Sequence, residues 1–317
     1  MLYSEGLDSI PVEVLPEMDQ DQIILSLSFS RLGDSAKADM GEVRTDADKK
    51  RLKVAKSLFV SPQFEAIGRA DAALRKEILR YALPGGTVLP SGSYWLPLAL
   101  LGRTNLLLEQ YRETRAGMVD GLFSPDLSTG SSPYLEEIEL AREQLGPQFS
   151  RGDYPPIYEA KGRYGFVWRY LRYELPSQLP PELLAQEEEK FKAANQVALE
   201  ECRKVLWDSF AMFVSRLVSR LTDKEAGKKT ALRDSLIGNL TEFIEVFEPR
   251  NMAQDKSLAD LIRQAKLALA NCSSTESLKD SESLRAAVLR DFSRIEKLVA
   301  EELRPQAPRV ISLEEEE

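Results

Sequence analysis

The residues of this sequence whose types and spacing could do chemistry are charges, with no obvious nucleophile among them. Arg216, Arg220, Lys224, Lys228, Lys229 and Arg233 gather where one helical pattern ends near Gly227 and the next begins. Such a cluster can hold a phosphate or an acidic partner, and its bland reading is the solvated end of a hairpin. The acids Glu187-Glu188-Glu189 and Glu200-Glu201 offer paired carboxylates, the raw material of acid–base or two-metal chemistry. They lack a Glu-x-x-His partner and an apolar pocket to lift a carboxylate pKa, so they read as charges on a helix surface. Histidine is absent altogether, which removes the commonest general base, the commonest metal ligand and every Ser-His or Cys-His dyad. Cys202 and Cys272 lie far apart inside helical patterns and read as small core residues, neither a disulfide framework nor a metal knuckle. The expectation is a protein without catalysis, cofactor or metal.

A further constellation is aromatic. From Tyr158 to Tyr170 the even positions Tyr158, Tyr164, Phe166, Trp168 and Tyr170 carry rings, while Glu159, Lys161, Arg163 and Arg169 fall on odd ones, the period of a strand. Within it, Lys161-Gly162-Arg163-Tyr164-Gly165-Phe166-Val167-Trp168 approaches the pattern K/R-G-F/Y-G/A-F-V-x-F/Y, whose exposed rings stack on RNA bases. Arg163 is then an insertion, and no βαββαβ order surrounds the run. An aromatic core face is therefore the favoured reading, and nucleic-acid contact by Lys161, Arg163, Tyr164, Phe166 and Trp168 is the alternative. The glycines between Leu83 and Pro97 invite a phosphate-loop reading, but neither G-x-x-x-x-G-K-[ST] nor G-x-G-x-x-G is present, and a fixed turn is expected. Tyr94 and Trp95 in that turn join the basic cluster as candidate partner contacts.

The elements that must position these groups are mostly helices. Gln22 to Arg31 alternates Ile23, Leu25, Leu27 and Phe29 with polar residues, as a half-buried strand does. Thr45, with Asp48 three positions on, reads as a helix start, followed by Leu52, Ala55, Leu58 and Phe59 at helical spacing. Ser61-Pro62 opens a second helix carrying Phe64, Ile67, Leu74, Ile78 and Leu79, and Leu98 to Phe123 reads as another. Pro133 opens a short one to Leu145, whose Glu136, Glu137, Glu139 and Glu143 read as a solvated face. Leu175 to Pro181 is a proline-rich hinge. Beyond it, Glu182 to Leu221 has neither proline nor glycine and reads as one apolar-striped helix about 60 Å long at 1.5 Å per residue. Returning helices follow, carrying Leu240, Phe243 and Phe247 and later Val288, Phe292 and Ile295.

The expected fold class is mainly α. A small antiparallel sheet of two to three strands with covering helices forms an α+β head over 1–176, followed by a long antiparallel helical hairpin or bundle, a coiled-coil-like arm, over 181–304 and an acidic tail over 305–317. The seam of the arm is expected at Leu206, Phe213, Leu217, Leu240 and Phe243. An apolar stripe on so long a helix must be covered by the later helices, by a second copy or by another protein.

Short phrases along this layout carry a resemblance. Leu25-Ser26-Leu27-Ser28 in the first strand, Lys56-Ser57-Leu58 leading to Ser61-Pro62, and the turns Tyr81-Ala82-Leu83-Pro84 and Tyr94-Trp95-Leu96-Pro97 precede a long helix with returning partners. Together they resemble an uncharacterised family of phage and bacterial proteins, a domain of unknown function. Because some members are encoded beside AAA-type ATPases of the MoxR or cobaltochelatase kind, the resemblance implies a phage-encoded adaptor or substrate of such an ATPase.

The formal net charge of −9 opposes broad attraction to nucleic acid or to an anionic membrane. No apolar stretch approaches the roughly 20 residues that cross a bilayer, and Met1 to Glu17 carries acids and prolines where a signal peptide would be basic. The functional expectation is a non-enzymatic helical interaction or adaptor protein in the cytoplasm, the host's if phage-encoded. It docks through its arm on a protein partner, an AAA-type ATPase among the candidates, or on itself as a homo-oligomer. The alternative is nucleic-acid binding by the aromatic strand 158–170 or the basic tip 216–233.

Overall fold

A computed structural model describes residues 21–172, 178–225, 234–270 and 280–304, with Cys272 and Leu278. The chain divides into an α+β unit, 21–85 with 89–172, and a helical unit, 86–88 with 178–304. Residues 175–177 of the expected hinge and the expected tail 305–317 lie outside the described residues.

The α+β unit is built on a four-stranded antiparallel sheet in the order β4-β5-β1-β6, from β1 (Gln22–Phe29), β4 (Leu83–Pro84), β5 (Ser93–Pro97) and β6 (Phe166–Leu171). Leu25 stands opposite Tyr94 on one side and Tyr170 on the other, and Phe29 opposite Phe166, so the alternation read in β1 sets the register. The sheet is wider than the two or three strands expected because Leu83 to Pro97 supplies both β4 and β5. All five residues of β5 are buried, so its sequence lacks the polar alternation that marks a half-exposed strand. Gly92 makes the turn into it, at φ +83°, where a Cβ would stand 2.7 Å from the Leu27 carbonyl oxygen.

Helices α1 (Pro62–Ile78) and α2 (Leu101–Phe123) pack on each other, and α2 lies against the aromatic face of β1 and β6. Helix α3 (Pro133–Leu145) starts where Ser132 accepts the Leu135 N–H, with proline in the first turn. Its Glu137 is not on the solvated face expected of it. The residue is 3% exposed, and its carboxylate accepts the N–H groups of Val60 (2.5 Å) and Ser61 (3.3 Å) just ahead of α1.

The helix expected from Thr45 is absent. Thr45 and Asp48 spend their side-chain oxygens on the N–H groups of Ala47 and Lys50 two residues on, bonds that close local turns and end after one 3-10 turn at Lys49–Arg51. The chain then enters β3 (Ala55–Ser57), paired with β2 (Ser35–Lys37). Leu58 and Phe59, read as a helical stripe, still reach the core, at 5% and 7% exposure.

Nor is 158–170 a single strand. Pro155 and Pro156 lead into a short helix, α4 (Ile157–Gly162), so Tyr158 stands 79% exposed on a helix and only the aromatics from Phe166 onward are in β6.

In the helical unit α5 (Pro181–Glu225) runs unbroken for 45 residues, about 68 Å at 1.5 Å per residue. From Ala198 through Leu221 one face is buried against the chain's own α6 (Asp234–Glu245) and α9 (Glu282–Glu302). Between α6 and α9 lie α7 (Phe247–Arg250) and α8 (Lys256–Leu269), the latter packed on α9. Leu206, Leu217, Leu240 and Phe243 are at most 5% exposed and Phe213 half-buried, so the expected seam is internal to the chain. No residue of 181–197 is buried, although Leu184, Phe191 and Ala194 are partly covered.

Candidate functional site

Arg216, Arg220 and Lys224 stand at successive i, i+4 positions of α5, all exposed, while Val214, Leu217 and Leu221, about a quarter turn round the helix, are fully buried. Helix packing thus orients the basic stripe outward. Several exposed arginines elsewhere are matched to an acid on their own helix, as in Arg69–Glu65, Arg112–Glu109, Arg142–Glu139 and Arg263–Asp260. Arg216, Arg220 and Lys224 form no ion pair among the described residues, and they repel one another along the helix. Lys228, Lys229 and Arg233 of the same cluster lie outside the described residues.

The other sequence candidates are placed differently. Tyr94 and Trp95, expected as exposed contacts, are 8% and 5% exposed because β5 is an interior strand, so neither offers a free surface. Lys161 is in α4, paired with Asp120 at 2.7 Å, and Arg163 follows that helix, paired with Glu159. Phe166 packs between Phe29 (5.0 Å) and Tyr111 (5.2 Å), and Trp168 sits under the Arg112 guanidinium. The Tyr170 hydroxyl donates to Asn105 on α2. Phe166 and Trp168 are partly covered by these contacts and Tyr170 is 37% exposed, so the rings form a half-buried face of β6 engaged with β1 and α2. Among the acids, Glu187 pairs with Lys190 at 2.6 Å. Glu201, in the helical unit with Gly86–Val88, accepts both the N–H and the hydroxyl of Thr87. No group of three or more Cys, Asp or Glu residues that could hold a metal occurs among the described residues.

Sequence reading missed a buried ionic network in the α+β unit. Asp71 of α1 and Arg115 of α2 are each 2% exposed. Asp71 Oδ1 accepts from Arg115 Nε (2.8 Å) and from the Tyr111 hydroxyl (2.5 Å), and Arg115 Nη2 donates to the Ser30 carbonyl (3.0 Å). Burial first, then the bond to Asp71, holds the Tyr111 phenol far above its usual range. Asp71 Oδ2 accepts no hydrogen bond; Arg31 Nε approaches it at 3.9 Å. Arg31 also lines an open groove of about 880 Å³ whose walls include Phe29, Phe59, Phe64 and Tyr164, with Asp34, Glu65 and Arg69 also lining it. Burial raises the Tyr164 phenol, partly offset by Arg31 and Arg115.

Asp255 organises the helical unit. Its Oδ1 caps α8 by accepting the Leu258 N–H (3.0 Å), and its Oδ2 accepts from Arg203 (2.6 Å) and from the Trp207 indole (2.7 Å) of α5. Burial alone would raise this carboxyl, but those three donors outweigh it and hold it below its ordinary value. Burial also pushes the Cys202 thiol up to about 12, with Glu201 adding to the shift. No helix among the described residues is long and apolar enough to cross a membrane.

Compared with protein-family models, with curated proteins and with solved structures, the chain matches none of them.

Proposed function

We propose that this chain is a non-enzymatic, cytoplasmic interaction protein that docks on an acidic protein surface through the basic stripe of α5. The observation that carries the reading is the run of unmatched like charges at Arg216, Arg220 and Lys224 on an exposed flank of a helix whose neighbouring face is core. Each like-charged i, i+4 pair costs an isolated helix a few tenths of a kcal/mol, and interleaved acids of the kind seen on α1 and α3 would remove that cost. The described stripe spans about 12 Å of helix, the scale of a short acidic segment. Of the aromatic rings that a nucleic-acid reading needs, Phe166 and Trp168 are already engaged by Tyr111 and Arg112 of α2, which favours the protein-docking reading. An AAA-type ATPase is the partner class that the resemblance to the phage and bacterial family implies.

The test compares the protein with its Arg216→Glu/Arg220→Glu/Lys224→Glu variant on immobilised poly-glutamate and on duplex DNA, with circular dichroism melts as the check on folding. The expected result is retention of the native protein on poly-glutamate, weakened by salt, and its loss in the equally folded variant. Indifference to the charge reversal overturns the proposal. So does stronger retention on DNA than on poly-glutamate at about 0.15 M salt, which places a nucleic acid on the stripe.

A further inference from the structure

We infer that the groove in the α+β unit is a binding site for a small organic monocarboxylate with a flat aromatic or apolar body, seated on Arg31. The residue is held from two sides. Its Nε lies 3.9 Å from the buried Asp71, and its guanidinium rests on α1 at Gly68, where a Cβ would stand 2.1 Å from Nη1. Even so, 49% of its side chain is exposed. An exposed arginine pays side-chain entropy when it grips a ligand, and one already pinned by its own fold pays less of it.

The electrostatics select the ligand. Asp71 is shared with Arg115, which is itself satisfied by Asp71 Oδ1 and the Ser30 carbonyl, so the charge of Arg31 is only partly balanced. Glu65 and Arg69 close on each other at 3.2 Å and cancel. Asp34 stands in the same groove and opposes a second negative charge, which favours a carboxylate over a phosphate dianion. Carboxylate geometry also matches the guanidinium fork. Phe29, Phe64 and Tyr164 line the groove beside Arg31 and give it apolar wall for the rest of the ligand, and the volume lies within the range of small-molecule sites.

Calorimetric titration of the full chain with phenylacetate, phenylphosphate and benzylamine tests this. Phenylacetate should bind best, and Arg31→Met should weaken it by about tenfold to a hundredfold, the loss of one charge-assisted pair. Gly68→Ala keeps every charge but claims the space of Arg31 Nη1, and it should weaken phenylacetate in the same direction, which separates a displaced arginine from a damaged fold. The inference is overturned if phenylacetate gives no heat with the folded protein, if both variants bind it as the native chain does, or if phenylphosphate or benzylamine binds more tightly.

Discussion

Replacing Asp71 with alanine isolates the largest electrostatic commitment in the α+β unit. Its partner Arg115 is 2% exposed, so the variant leaves a guanidinium in the interior with only the Ser30 carbonyl to meet it, and the Tyr111 hydroxyl loses its acceptor. Breaking a buried pair from one side typically costs about 3–5 kcal/mol. Arg31 cannot compensate, because it is a second cation and loses the same carboxylate, 3.9 Å from its Nε, although its half-exposed side chain can turn to solvent. For a unit of this size the loss corresponds to a drop in Tm on the order of 10 °C. Trp95 and Trp168 both belong to this unit, so tryptophan fluorescence in a Trp207→Phe background reports its unfolding separately from that of the helical unit. Urea titrations should then be run on Asp71→Ala, Arg115→Met and the pair Asp71→Ala/Arg115→Met. Removing both charges leaves nothing unpaired except Tyr111 and Ser30, so the double variant should be at least about 2 kcal/mol more stable than the sum of the single losses implies. A cost below about 1 kcal/mol for Asp71→Ala, or strictly additive losses, would refute the claim that this pair is a coupled, desolvated unit.

Two further outcomes follow from the helical unit. Because the carboxyl of Asp255 is held below its ordinary value in the folded chain, it contributes stability above that value that fades as pH falls through its lowered pKa; the urea-midpoint gap between native protein and Asp255→Ala, about 2 kcal/mol at neutral pH from the cap and the indole bond, should therefore shrink below about pH 4. A gap that stays constant with pH would show that charge plays no part there. Burial and a thiol pushed up to about 12 should leave Cys202 unlabelled by maleimide in the native state and reactive once urea opens the unit; native labelling detected by mass spectrometry would contradict the packing of α5.

Part of this network was open to a closer reading of the chain. The apolar stripe Phe64, Ile67, Leu74, Ile78 of α1 leaves a gap at 71, and the residue filling that gap is Asp71. A charge on a core stripe signals a buried partner, and Arg115, in line with Leu108, Val119 and Leu122 on α2, is a charge of the opposite sign in the same situation. Glu137 gave less warning, because Glu136 and Glu139 beside it are ordinary surface acids and only the arrival of Val60 and Ser61 distinguishes it. Nothing along the chain pointed to the groove, whose lining comes from β1, the loop after it, β2, β3, Phe59, α1 and Tyr164.

Helix periodicity, proline starts and the unbroken run from Pro181 to Glu225 are properties of neighbouring residues, so the mainly helical class and the long α5 could be read from pattern alone. Strands buried on both faces, such as β5, and short ones such as β3 have no such local mark, since their hydrogen bonds are made with chain far away in sequence. The same holds for charge. Whether an arginine is a solvated stripe, like Arg216, or half of a core pair, like Arg115, depends on which element packs over it, and that choice is made only when the whole chain folds.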